Sequence, residues 1–147
     1  MVIDPVYMIR EESANTIIKL GESLFDSEWL ERVVSVKLDE LVRHERFMLR
    51  IQTIHMINQM RGHLTSHSAM RTFARHLFTL AVDPVPNIRF NTSKTVGTYF
   101  QHFDEDDKER ARELLTRISE NDSDFDAKFF AQRTLDEVSG RNNLQQE

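Results

Sequence analysis

The sequence predicts an all-α protein, an α-solenoid in which about seven helices form antiparallel helical hairpins. Two observations carry this prediction: helix-breaking residues are rare, and a segment of helical character recurs about every 39 residues. The 147 residues include four glycines and three prolines, and 39% of them are hydrophobic, which is enough to bury a core. A single hairpin cannot bury its apolar faces alone, so neighbouring hairpins must stack.

The recurring segment is marked by a base that falls at almost equal intervals. The four bases lie 40, 39 and 39 residues apart, at Arg10, Arg50, Arg89 and Lys128. An Asp precedes the base by six positions in three copies, and His44 takes its place in the other. We expect each Asp to cap a helix and to face the base of a neighbouring repeat, forming a ladder. Because His44 supplies no carboxylate, we expect a weaker rung there.

Apolar and small residues follow each base with helical spacing and define helix B of each repeat. Positions −1, +3, +7 and +10 from the base lie on one helical face. The residues at +3 are small, which would let a neighbouring helix approach closely. From the second copy onward the four positions are Leu49, Thr53, Ile57 and Met60; Ile88, Thr92, Val96 and Tyr99; and Ala127, Ala131, Leu135 and Val138.

A second amphipathic stretch, helix A, precedes helix B in every repeat except the first. Its predicted starts are Ser27, then Ser66 or Ser68, then the acidic residues 104–107. Pro5 and Pro84 are expected in first turns and Gly62 and Gly140 at helix ends. We therefore predict one array over residues 1–140, with a half repeat at 1–26, whole repeats at 27–64, 65–103 and 104–140, and a flexible tail at 141–147. Starting on helix B suggests a piece of a longer array.

Four stretches carry a resemblance to a known family: residues 4–11 (DPVYMIRE), Glu28-Trp29, residues 83–91 (DPVPNIRFN) and residues 126–132 (DAKFFAQ). With the period and the Asp–base spacing, residues 2–138 resemble the C-terminal HEAT repeats of the scaffold (A) subunit of protein phosphatase 2A. The related HEAT regulatory subunit of protein phosphatase 4 has a similar pattern, and both are HEAT/armadillo-like. The resemblance implies a non-catalytic scaffold that holds a serine/threonine phosphatase catalytic subunit through the turns between helices A and B.

Carried over position by position, the resemblance implies a protein-binding edge. Its residues are Val6, Tyr7, Phe47, Arg50, Val85, Pro86 and Phe125. The alternative is that Tyr7, Phe47 and Phe125 fold back onto their own helix A. The residues His44-Glu45-Arg46 depart from the family's Asp-Pro turn, which leaves a second function open: a general HEAT adaptor for an unrelated protein in transport or complex assembly.

Charge and composition argue against other classes of function. Residues 43–94 hold eight bases and two acids, whereas residues 104–147 hold thirteen acids and seven bases. Those bases are dispersed over several helices, so we expect solvated faces and no nucleic-acid partner. With no cysteine and no apolar run long enough to span a bilayer, a cytoplasmic or also nuclear protein is expected. The uncapped first helix is a candidate for self-association.

No motif predicts catalysis, a cofactor or a metal. His63 and His67 are four residues apart, but Thr65 and Ser66 between them favour a loop, and no third ligand lies at a recognised spacing. The triplet Ser66-His67-Ser68 lacks the glycines and partners of a nucleophile motif. We therefore expect a protein that is not an enzyme.

Overall fold

The computed structural model describes residues 27–144, with side chains from 28 to 140, and five positions before them: Glu12, Asn15, Thr16, Lys19 and Leu20. The described part of the chain is all-helical and contains no strand. Its six α-helices are α1 (Ser27–Leu41), α2 (Phe47–Gln59), α3 (His67–Leu80), α4 (Pro86–Tyr99), α5 (Glu105–Asn121) and α6 (Phe125–Leu144), with a 3-10 turn at Phe100–His102. About seven were predicted. The predicted first helix, residues 1–26, lies outside the described residues except at those five positions, which are helical.

Short connections join the helices into three pairs, α1–α2, α3–α4 and α5–α6. Helices α1, α3 and α5 contact one another in succession, and so do α2, α4 and α6. Helix α4 packs against α2, α3 and α6, and α6 is the partner it contacts most extensively. The helices predicted as A and B thus form two adjacent rows, which places successive A–B turns next to one another.

The core consists of the apolar faces that the sequence predicts. On α3, Met70, Phe73, Leu77 and Leu80 are all buried. On α2, α4 and α6 the predicted face is buried as well, except at Leu49 and Leu135, which are half-buried. The small residues three positions after each base are completely inaccessible, as close helix packing requires: Thr53, Thr92 and Ala131.

Side-chain caps fix two of the predicted helix starts. The Ser66 hydroxyl accepts a hydrogen bond from the Ala69 amide at 3.0 Å, and the Asp104 carboxylate accepts one from the Asp107 amide at 2.8 Å. These bonds satisfy amides that have no partner inside the helix. The starts of α3 and α5 are therefore set locally by the sequence.

Two predicted helix boundaries were wrong. Pro84 lies in the turn before α4, and Pro86 takes the first helical position, where its missing amide hydrogen costs nothing. Gly140 does not end α6, which continues to Leu144, so residues 141–144 of the predicted tail are helical. Among the described glycines only Gly62 has a positive φ, at 85°, which is the conformation that stops a helix.

Hydrogen bonds connect α2 to α4. The Asn58 amide donates to the Thr95 hydroxyl at 3.1 Å. The Tyr99 hydroxyl donates to the Ile57 carbonyl at 2.5 Å, and burial raises the pKa of this phenol to about 12. Because both contacts are between consecutive helices of the same row, they fix the rotation of α4 relative to α2.

Helices α4 and α6, the next pair in the row, pack closely at Gly97. The Thr134 hydroxyl donates to the Ser93 carbonyl at 3.2 Å, and both side chains are buried. A Cβ atom at Gly97 would lie 2.8 Å from the Thr134 methyl carbon, closer than side chains pack in proteins. Gly97 therefore permits this approach, and a side chain there would push the helices apart.

Candidate protein-binding surface

Three turns between helices A and B form one edge of the molecule. They comprise residues 42–46, 81–85 and 122–124, and each leads directly into α2, α4 or α6. Two bidentate ion pairs hold consecutive turns together, each between an Arg near the start of one B helix and an Asp in the next turn. In the first, Arg50 Nε lies 2.6 Å from Asp83 Oδ2 and Nη2 lies 3.1 Å from Oδ1.

The second ion pair repeats the first. Arg89 Nε lies 2.6 Å from Asp122 Oδ2, and Nη2 lies 2.7 Å from Oδ1. Both pairs join residues 33 positions apart. In each pair the Arg lies in a B helix, and the Asp lies in the turn that precedes the next B helix. The predicted ladder is thus present in both rungs for which the structure describes both residues.

Each arginine also fixes its own turn. Nη1 of Arg50 donates to the carbonyls of His44 and Glu45, at 2.9 Å each, and Nη1 of Arg89 donates to those of Asp83 and Pro84, at 2.8 and 3.0 Å. One planar guanidinium therefore bonds two backbone carbonyls and a carboxylate at once, which a lysine could not do.

Both arginines are almost inaccessible. Their side chains are 13% and 12% exposed, and those of their Asp partners are 5% and 6% exposed. The hydrogen bond to Asp122 raises the pKa of Arg89, and the same bond holds the pKa of the Asp122 carboxyl below its usual value. Ion pairs of this bidentate geometry stay charged at neutral pH and set the spacing of the turns.

The predicted capping role of the ladder aspartates is wrong in detail. Asp83 Oδ1 accepts from the Val85 amide, and Asp122 Oδ1 accepts from the Asp124 amide, both at 2.9 Å. In each bond the aspartate accepts from the amide two residues later, which closes an Asx turn and does not cap a helix. The helix cap in the third turn is Asp124, whose Oδ1 accepts from the Ala127 amide.

His44 reproduces the turn of the other copies. Its Nδ1 accepts from the Arg46 amide at 3.1 Å, as the aspartate oxygen does in the other turns. It has no carboxylate to offer to a preceding base, and the base in question, Arg10, lies outside the described residues. At the other end of the series, Lys128 donates to the Glu120 carbonyl at 3.1 Å.

The predicted contact residues divide into exposed and internal groups. Phe47 is 45% exposed and Phe125 is 78% exposed, so neither is folded into the core. Val85 and Pro86 are half-buried, and Val85 packs on a second, smaller apolar cluster formed by Val42, Ile54, Leu80 and Ile88. Every guanidinium nitrogen of Arg50 is bonded within the chain, which gives this residue an internal role. Val6 and Tyr7 lie outside the described residues.

Two exposed apolar residues at the same edge were missed from the sequence. Met48 is 43% exposed next to Phe47, and Val82 is 56% exposed in the second turn. Their position beside the turns was the only available signal, because Val82 lies in a turn and Met48 lies outside the predicted apolar face of α2. We name the set Phe47, Met48, Val82 and Phe125 the turn ridge.

A groove of about 400 Å³ lies between the second and third turns. Val82, Pro84 and Leu114 form its apolar part, and Arg117 and Asn121 contribute exposed polar groups. The Arg89–Asp122 ion pair also lines it. Of the turn ridge, Val82 lines this groove.

Among the described residues, no group of three or more His, Cys, Asp or Glu side chains is placed to hold a metal ion. None of the helices in that part of the chain is long and apolar enough to cross a membrane.

No protein-family model matches the chain, and no curated protein sequence matches it significantly.

Proposed function

We propose that this chain is an α-solenoid of the HEAT type and serves as a non-catalytic scaffold for the catalytic subunit of a 2A/4-type serine/threonine protein phosphatase. The observation that carries the proposal is the recurrence of the Arg–Asp ion pair at a constant separation of 33 residues. Equal rungs bring equivalent turns into line along one edge, as a stacked array needs.

The turn ridge supports binding at that edge. Four large apolar side chains are between 43% and 78% exposed on or next to the turns. Exposed apolar groups arranged along one edge, with a polar surround, are typical of protein interfaces. The choice of a phosphatase partner rests on the resemblance of residues 2–138 to the scaffold subunits.

The proposal can be tested by binding measurements with purified catalytic subunits. We expect the chain to bind the type 2A or type 4 subunit and not the type 1 subunit, measured by biolayer interferometry. Replacing both Phe47 and Phe125 with Ala should weaken binding at least tenfold, because buried aromatic anchors dominate interface energies. Val36→Ala is the matched control, since Val36 is 70% exposed but lies on α1, away from the turns.

Failure of both catalytic subunits to bind at micromolar concentration would remove the phosphatase proposal. If the double variant bound as well as the parent chain, the turn ridge would not be the interface. The general adaptor remains the second candidate because the His44-Glu45-Arg46 turn departs from the family pattern. Recovery of an unrelated partner whose binding requires Phe47 and Phe125 would favour it.

A further inference from the structure

Helix α6 carries an exposed stripe that the turn ridge does not explain. The stripe consists of Phe125, Phe129, Gln132 and Asp136, all of which lie at least partly open to solvent on one face of the helix. The rings of Phe125 and Phe129 stack at 6.5 Å between centroids with an interplanar angle of 18°, and Phe129 is 51% exposed. We name these four residues the outer stripe.

The same stripe on the preceding helix of the row is covered. Thirty-nine residues earlier it comprises Pro86, Phe90, Ser93 and Gly97 on α4. Phe90 packs against Phe130 of α6 at 5.5 Å, the Ser93 carbonyl accepts from Thr134, and Gly97 lies against that same threonine. On α4 the cover is a helix, α6. Among the described residues no helix packs over it.

The chemistry of the outer stripe differs from that of its counterpart on α4. Asp136 stands where α4 has the Gly97 that allows close packing, and the exposed Asp126 beside the stripe stands where α4 has Asn87. Neither aspartate forms an ion pair within the described part of the chain, although Asp136 accepts from the Gln132 amide at 2.9 Å.

The bases near the outer stripe have other contacts, and Lys94 of α4 lies 3.9 Å from the centre of the Phe130 ring. Arg133 pairs with Glu137 at 3.1 Å, and Lys128 donates to a backbone carbonyl. Asp126 and Asp136 therefore remain without a paired base among the described residues. A helix that covers the outer stripe needs apolar side chains for the rings and cations for these two aspartates.

We propose that the outer stripe of α6 binds a basic amphipathic helix of a partner protein. Apolar side chains of that helix would pack on Phe125 and Phe129, and its Lys or Arg residues would pair with Asp126 and Asp136. The exposed faces of the rings also attract cations directly. This site shares Phe125 with the proposed phosphatase contact, and Phe129, which is outside the turn ridge, distinguishes the two.

The test uses the full chain and a fluorescein-labelled peptide of about 18 residues, built from Leu and Lys as an amphipathic helix. A second peptide with Glu in place of every Lys is the charge control. We expect the Lys peptide to bind at micromolar concentration by fluorescence anisotropy. Phe129→Ala should weaken binding at least tenfold, and the double replacement of Asp126 and Asp136 with Asn should weaken it several-fold and flatten its dependence on salt.

The variants Val36→Ala and Phe47→Ala should bind the peptide as the parent chain does, and circular dichroism would confirm that Phe129→Ala remains folded. The proposal is overturned if the Glu peptide binds equally well, or if Phe129→Ala has no effect. It is also overturned if analytical ultracentrifugation shows a dimer of this chain that Phe129→Ala dissociates, because a second copy would then be the occupant.

Discussion

Replacing Gly97 with Ala should destabilise the protein, although the same change stabilises most helices. Gly97 lies inside α4, where Ala would favour the helix by about 1 kcal/mol. The new Cβ would, however, lie 2.8 Å from the Thr134 methyl carbon, and Thr134 is only 4% exposed. Overpacking of a buried contact typically costs about 1–3 kcal/mol. We therefore expect a net loss of about 1 kcal/mol in the free energy of unfolding.

The double variant with Thr134→Ser isolates the cause. Serine lacks the methyl group that would clash but keeps the hydroxyl that donates to the Ser93 carbonyl. Its own cost is one buried methyl group, about 0.8 kcal/mol. When Gly97→Ala is made together with Thr134→Ser, it should become neutral or stabilising, so the two changes should be coupled by about 1–2 kcal/mol.

Urea unfolding followed by the circular dichroism of the helices measures these differences. Gly140→Ala is the matched control, because Gly140 also lies in a helix but no atom lies within 4 Å of the place that an alanine Cβ would take there. It should be neutral or stabilising by up to about 1 kcal/mol. The reasoning is refuted if Gly97→Ala alone stabilises the protein as much as Gly140→Ala does, or if the double variant is simply additive.

Three further changes test the stacking of the turns, the titration of a buried histidine and a helix cap. Asp122→Asn should lower the free energy of unfolding by about 2–3 kcal/mol, because the nearly inaccessible Arg89 then loses its counter-charge. A change below about 0.5 kcal/mol in urea unfolding would show that the ion pair does not hold the turns. His76 is 2% exposed, and its burial, with Arg75 and Arg43 nearby opposing Asp39, lowers its pKa from 6.5 to about 4. As the pH falls, the unfolded chain therefore takes up the proton before the folded protein does. The free energy of unfolding should fall by roughly 1.5 kcal/mol between about pH 6.5 and about pH 5. Urea titrations at both pH values should give a smaller fall for His76→Leu, and an equal fall would show that His76 is not the responsible group. Ser66→Ala should cost about 1 kcal/mol through loss of the α3 cap, whereas Ser68→Ala, inside the same helix and exposed, should cost much less in thermal unfolding; equal costs would rule out the cap as the cause.

Local patterns in the sequence were sufficient to predict the helical class and much of the core. The apolar spacing on α3 placed Met70 and Phe73 inside, and the Asp–base spacing anticipated the ion pair between Arg89 and Asp122. Both signals depend on positions within one helix or on the period of the repeat. They need no knowledge of how two helices are rotated relative to each other.

The sequence was less informative wherever the outcome depends on that rotation. Nothing near Gly97 indicates that Thr134, far along the chain, would need its space. The same holds for Asn58, whose amide reaches Thr95 of the next helix in the row. In the candidate surface, Arg50 was predicted at the interface, but its neighbours on two turns bond every nitrogen of its guanidinium.

The two rows of helices have a consequence for how the protein forms. The main contacts of each described helix are with the next helix or the one after it along the chain. Contacts between residues close in sequence form quickly, because only short loops must close. Each hairpin can therefore settle onto the previous one as it leaves the ribosome, without waiting for distant segments. Synthesis and folding would then proceed in the same direction.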